Sequence, residues 1–246
     1  MENINCNIVN AHPRDRHISF EEVEHVYTHD HLGRFSSWTE TISSFFPPFD
    51  ADAAAESVAS KQGVAKEDVL SRWTHETDLG TQLHANIEHF LNGDAYTEDD
   101  VFSMFKVFYQ EHRVVPYRTE WTIFDEDSRI AGTIDALDFH ICPIMLDWKR
   151  SKNLFFRDRL ITDGYKGAKG LGPLSHLPDC SYYHYAMQQS GYRYILETRY
   201  GISLQDCFLV VMHPTLSKYR IVRMPYLKKE VQEVFALRKA LFSKSK

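Results

Sequence analysis

Asp147 and Lys149 stand two positions apart at the end of an apolar run, in Met145-Leu146-Asp147-Trp148-Lys149-Arg150. In a strand, residues i and i+2 point the same way, so this carboxylate and this amine project side by side while Trp148 turns to the opposite face. Such a pair has two readings. One is a strand-end ion pair, which is common and adds little stability. The other is a metal-binding carboxylate beside a cation that stabilises charge in a reaction. A second carboxylate bears on the choice. Asp135 ends Gly132-Thr133-Ile134-Asp135 on the preceding strand-like run, and a turn falls near Cys142-Pro143. Folded back as a hairpin, the chain brings Asp135 roughly level with Asp147 or Lys149. Two carboxylates and a lysine would then converge, a donor set that suits a hard divalent cation such as Mg²⁺. Such an ion polarises a phosphoryl oxygen and lowers the pKa of water, while the lysine helps to position or deprotonate the nucleophile.

The elements that must hold these residues follow from pattern and punctuation. Residues 17–28 alternate well enough for a strand pair, with a turn at His29-Asp30-His31-Leu32-Gly33-Arg34. Ser36 and Ser37 can cap a helix through residues 38–46, which Pro47-Pro48 stops. A second helix is predicted from Asp52 to about Lys61, and one or two more from Lys66 to Leu91, ending at Asn92-Gly93. Residues 99–112 give another, with Phe102, Phe105 and Phe108 on roughly one face. Strands follow at 118–124, 130–140 and 144–149, close enough together for an antiparallel meander. A long aromatic helix spans 181–200, two more strands lie near 207–213 and 218–224, and a basic amphipathic helix runs from Leu227 to Leu241. The order predicts an α/β fold: a central mixed sheet covered by helices, with a mainly helical N-terminal region, in one domain over the 246 residues.

Charge is divided unevenly along the chain. The net is −6, yet residues 1–100 hold 6 Lys/Arg against 19 Asp/Glu and residues 101–246 hold 22 against 15. Seven basic residues lie between Lys149 and Lys169, opposed only by Asp158 and Asp163. Local positive charge governs attraction to a phosphate backbone, although a solvated basic loop would look the same. The Gly- and Lys-rich stretch at 162–175 is long enough to be functional. No apolar run is as long as a membrane span and no signal peptide is evident, so no membrane partner is expected. Cys6, Cys142, Cys180 and Cys207 are far apart, which argues against a disulfide scaffold or zinc ribbon and favours a reducing, intracellular setting.

Gly-Thr-Ile-Asp, eleven residues, then Asp-Trp-Lys resembles the D…(D/E)-x-K core of the PD-(D/E)XK nuclease superfamily. Two further pieces resemble its RecB-type exonuclease branch, which includes the RecB nuclease domain, lambda exonuclease and the mitochondrial genome maintenance exonuclease. Gly80-Thr81-Gln82-Leu83-His84 is similar to the branch's G-x-x-x-H helix, and Gln188 and Tyr192 match its Q-x-x-x-Y helix. Residues 36–42 resemble a Ser/Thr segment near the start of several members. The resemblance implies a restriction-endonuclease-like core and Mg²⁺ or Mn²⁺ held by His84, Asp135, Asp147 and the backbone carbonyl of Trp148. It further implies Lys149 as catalytic amine, Gln188 orienting the lysine or water, and Glu120 as an acidic residue of the first meander strand. Ser37, Trp38, Arg150, Lys152, Lys166, Lys169 and Tyr192 are the expected DNA contacts, Trp38 or Tyr192 by stacking on a base. The implied activity is a metal-dependent DNA nuclease, most readily an exonuclease acting at ends in replication, repair or recombination. Its rivals are an endonuclease of the same fold, on structured DNA or RNA, and a silent nucleic-acid-binding scaffold. Some relatives carry an iron–sulfur cluster on closely spaced cysteines; the spacing here predicts none. No phosphate-loop motif occurs, so a helicase or strand-annealing partner would be a separate protein.

Overall fold

The structure, a computed structural model, describes residues 5–243. The chain opens with a single helical turn, α1 (Cys6–Val9), and then a ribbon of three short strands, β1 (Ile18–Glu21), β2 (Val26–His29) and β3 (Gly33–Ser37). The stretch 17–28 is thus interrupted by its own turn at residues 22–25, where His25 takes a positive φ of 52°. The His29–Arg34 segment makes the next turn and leads into a third strand, which short-range alternation did not separate from a loop. Helices α2 (Trp38–Ser43), α3 (Ala51–Gln62), α4 (Lys66–Asn92) and α5 (Asp100–His112) follow. The sequence left open one or two helices over 66–91, and the chain forms one. It ends where Gly93 adopts the left-handed conformation, φ 79°, that only glycine takes without cost.

The meander is β4 (Pro116–Asp125), β5 (Ile130–Asp138) and β6 (Ile144–Arg150), antiparallel throughout. After a small hairpin, β7 (Phe155–Phe156) with β8 (Arg159–Leu160), come α6 (Ser181–Ile195), β9 (Asp206–Met212), β10 (Arg220–Arg223) and α7 (Lys228–Ser243). The predicted aromatic helix leaves α geometry at Leu196 and closes in a wider π turn to Tyr200. The β6–β9 pair is parallel, as is the short β3–β5 pair, so the large sheet is mixed. The chain is therefore α/β, a mixed sheet flanked by helices. Among the described residues no helix is long and apolar enough to cross a membrane.

The two faces of the sheet are sorted by parity. Leu146, Trp148, Val210 and Met212 pack with Phe102, Phe105 and Phe108 of α5 and Leu83 and Ile87 of α4. Met145, Leu209 and Val211 face the other way, into a cluster with Ala186, Met187 and Ile195 of α6 and Val231, Val234 and Phe235 of α7. Alternation along β6 and β9 is what buries both faces at once.

One strand shapes the site. β4 pairs along the whole length of β5, so β3 and β6 must share the other edge of β5. β3 takes residues 130–131 and β6 takes 136–138. Residues 132–135 lie in the gap between them, and Asp135 is the last residue of that gap.

Candidate active site

The β5–β6 register, with Ala136 opposite Leu146 and Leu137 opposite Met145, places Asp135 level with Asp147. Pairing stops just short of them. In its place the Trp148 N–H donates to Asp135 Oδ2 at 2.8 Å. A strand residue's N–H and C=O point to the same edge, so the Trp148 carbonyl also faces the gap. The Trp148 indole turns away and packs edge-on against Phe105 and Phe108. Lys149 Nζ lies 2.6 Å from Asp147 Oδ2 and 5.1 Å from the Tyr185 ring centroid, a cation–π contact from α6. Asp147 Oδ2 is fully buried, and the Lys149 ammonium is the partner that meets it.

His84, on α4, completes the cluster. Its Nδ1 is 3.3 Å from Asp135 Oδ2 and 3.7 Å from Glu120 Oε1. Ligand atoms of His84, Glu120 and Asp135 all lie within 4.8 Å of one another. Glu120 stands opposite Asp135 in register yet is left out of the pairing, with a φ of 42°. A non-glycine residue in that region carries strain, and such residues concentrate at functional sites. The break re-aims the Glu120 side chain toward His84. His84 and Glu120 are about a quarter exposed and line a cleft of about 590 Å³, shared with Tyr27, Thr81, Glu88 and Thr133. Asp135 and Asp147 lie buried beside it, and Lys149 is half-buried.

Burying so many charges moves their proton affinities. Burial pushes Asp147 up to about 6, helped by the Asp135 carboxylate and opposed by Lys149. Burial raises Asp135 as well, against the pull of His84 and Lys149. For Lys149, burial acts downward, but Asp147 and Asp135 outweigh it and the net shift is upward. For His84, burial likewise acts downward, while Asp135 and Glu120 carry it up to about 9. The donor chemistry fits a divalent cation: carboxylate oxygens, an imidazole nitrogen and a carbonyl around one gap.

The remaining expected site residues divide. Gln188 is half-buried on α6, one helical turn before Tyr192. Lys152, Lys166 and Lys169 are exposed. Four expected DNA contacts are not available as drawn. Trp38 is fully buried, its indole N–H donating to the carbonyls of Met187 and Gln188, so it stacks on no base. Tyr192 is buried with its ring against Gly132, where a Cβ would sit 2.4 Å from it. Ser37 is buried, its hydroxyl 2.7 Å from that of Thr39. The Arg150 guanidinium is buried in an ion pair with Glu76 of α4. The basic residues of α7 are engaged too: Arg238 with Ser36, Lys239 with Asp127, and Lys228 at 3.5 Å from Glu197. Sequence reading missed Tyr185 and Glu76. Tyr185 precedes Gln188 by one helical turn, a spacing that could have flagged it; Glu76 had no local signal.

No protein-family model matches this chain, and no curated protein matches it. Among solved structures it is similar to that of SSO0001, with a TM-score of 0.37 and 12% identity over 85% of this chain and 77% of that one. It is similar in the same degree to a protein from Eubacterium rectale called "putative exonuclease", TM-score 0.37 and 12% identity over 85% of this chain and 79% of that one. Likeness at this level carries no argument about activity.

Proposed function

We propose that the chain is a divalent-metal-dependent deoxyribonuclease of the PD-(D/E)XK type, hydrolysing phosphodiester bonds and working from DNA ends. One observation carries the reading. His84, Glu120, Asp135, Asp147 and Lys149 come from four elements, α4, β4, β5 and β6, and meet at a gap in the sheet, although ionised groups are costly to bury there. A structural ion pair would need two of them, not five.

His84, Asp135, Asp147 and the Trp148 carbonyl would hold Mg²⁺ or Mn²⁺. Bound there, the ion supplies Lewis-acid polarisation of a phosphoryl oxygen and a lowered pKa for water. The protein's own groups do the rest. The Trp148 N–H fixes the Asp135 carboxylate in one orientation. Lys149, held charged by its carboxylate neighbours and backed by Tyr185, offsets negative charge that develops on the phosphate. Glu120 lies 3.7 Å from His84 and would take a proton from the attacking nucleophile. Tyr192 seats α6 against β5 at Gly132, which would keep Tyr185 over the lysine, and Gln188 on the same helix would orient the lysine or water. The exposed lysines Lys152, Lys166 and Lys169 would meet the DNA backbone.

The test compares end-labelled linear DNA with covalently closed circular DNA, with Mg²⁺ present or chelated. Mg²⁺-dependent loss of the linear substrate alone is the expected result. Nicking of the circle would make it an endonuclease, and binding without any cleavage would make it a scaffold.

A further inference from the structure

The N-terminal ribbon carries a second cluster, built from different donors. Asp30 is surrounded by imidazoles: His17 Nδ1 at 2.7 Å, His29 Nδ1 at 3.0 Å and His31 Nε2 at 3.4 Å. Among the described residues no Lys or Arg lies within ion-pair distance of Asp30; its near neighbours are imidazoles. The ring centroids of His17, His29 and His31 lie 5.9–6.1 Å apart, so protonating all three would crowd like charges. We propose that His17, Asp30 and His31 form a second cation site, for a transition-metal ion of the Zn²⁺ class, which ties the start of the ribbon to its second turn.

The geometry suits such an ion. His17 Nδ1, Asp30 Oδ2 and His31 Nε2 lie within 4.8 Å of one another. Zn–N and Zn–O bonds of about 2.0–2.1 Å at tetrahedral angles put ligand atoms roughly 3.3 Å apart, so small side-chain shifts close the set. Two imidazoles with one carboxylate select Zn²⁺ over Mg²⁺, which wants oxygen and ideal octahedra. The backbone is already fixed for it. The Asp30 N–H donates to the His17 carbonyl at 3.0 Å, holding the two ligand-bearing segments together. His29 is buried, stacked on Phe35 at 5.3 Å, and its Nδ1 accepts the His31 N–H at 3.2 Å. That ring is committed to shaping the turn and stands behind the site as its support. One group opposes the ion. Arg16 Nε donates to His17 Nε2 at 3.1 Å, and a metal on Nδ1 would put the proton on Nε2. Arg16 is exposed and free to swing away, so it tunes affinity downward without blocking the site.

The experiment isolates this cluster from the candidate active site. The chain carrying Asp135→Asn and Asp147→Asn, checked for folding by circular dichroism, is loaded with Zn²⁺ or Co²⁺, desalted and measured for bound metal. One equivalent should remain, and His17→Ala or His31→Ala in that background should weaken binding by more than the roughly 10–100-fold that outer-shell changes cost. Arg16→Ala should tighten it. If the double variant does not fold, the Co²⁺ absorption spectrum of the native chain minus that of its exposed-site variant His31→Ala gives the same answer. The proposal is overturned if the double variant retains no metal, or if His31→Ala binds like its parent. Neither readout depends on cleavage of DNA, so failure here leaves the nuclease reading intact, and the reverse also holds.

Discussion

Lys149→Ala separates the nuclease reading from an ordinary ion pair. The ammonium sits 2.6 Å from Asp147 Oδ2, with its side chain only 15% exposed, and the second carboxylate, Asp135, acts on it as well. Removing one partner of a buried pair leaves an uncompensated charge and costs about 3–5 kcal/mol. Without metal, urea unfolding of the variant should therefore show a loss of that order. With saturating Mn²⁺ the loss should shrink, because the ion restores positive charge beside the same two carboxylates and adds its own binding energy to the folded state. Mn²⁺ affinity, read by calorimetry, should be unchanged or tighter, since a competing cation is gone. Cleavage should fall on the order of 10²–10³-fold, as when one electrostatic stabiliser of a transition state is removed. By contrast, Asp135→Ala or Asp147→Ala should lose Mn²⁺ binding and cleavage together. A Lys149→Ala protein that cuts DNA at near the native rate would refute the reasoning and return Asp147–Lys149 to a structural pair.

Three further outcomes are expected. Gly132→Ala should destabilise the fold by about 1–3 kcal/mol through overpacking against the Tyr192 ring, and the cost should fall in the Tyr192→Ala background, giving a measurable coupling in a double-mutant cycle. The metal-free protein should lose stability as pH rises. Asp147, raised from 3.8 to about 6, makes the folded state bind more protons than the unfolded one across that window, and His84, raised from 6.5 to about 9, contributes stability that is full below 6.5 and lost through 9. A urea midpoint that climbs from about pH 4 to 6 would contradict the Asp147 shift, and one that climbs from about pH 6.5 to 9 the His84 shift. Replacing Lys166 and Lys169 together with Gln should reduce the log–log salt slope of duplex binding by about 0.9 for each phosphate no longer neutralised, while turnover at saturating DNA changes little. An unchanged slope would mean that the loop is a solvated insertion.

What could be read in advance depended on the range of the physics involved. Asp135 and Asp147 could be set level, with Lys149 beside them, because a strand's period of two and a short hairpin decide which side chains face one another, and both are local. His84 came from a helical motif and Glu120 from a strand position, each tied to the site only by resemblance. The failures are long-range. A Trp after two serines looks like an exposed stacking platform, but Trp38 bonds to a carbonyl 149 positions further on. Its indole fills the space where Gly191 lacks a side chain; a Cβ there would sit 2.0 Å from Trp38 Nε1. Tyr192, next along, is taken up by Gly132 in the same manner. Arg150 belongs by composition to a basic run, yet Glu76, from the acidic half of the chain, claims it. Charge counted along the sequence cannot show which residues are neutralised from a distance. The ribbon's extra turn was missed for a smaller reason: Glu22–His25 carries no Gly, Pro, Asn or Asp to mark it.

The slot that Gly191 leaves for Trp38 also bears on the order in which the molecule is built. β4, β5 and β6 are joined by short turns and can pair early, whereas seating the indole must close a loop of roughly 150 residues, and that entropy has to be spent before the interaction repays it. The parallel β3–β5 pairing, only two residues long, adds little to hold the N-terminal segment until the ring is home. Loop closure therefore predicts the meander with α6, β9 and α7 as the template on which the ribbon docks afterwards. Until it docks, the upper edge of β5 beside Asp135 lacks β3 as a neighbour. A nascent chain would have all its carboxylates and its lysine in hand well before it had a finished gap to hold them in.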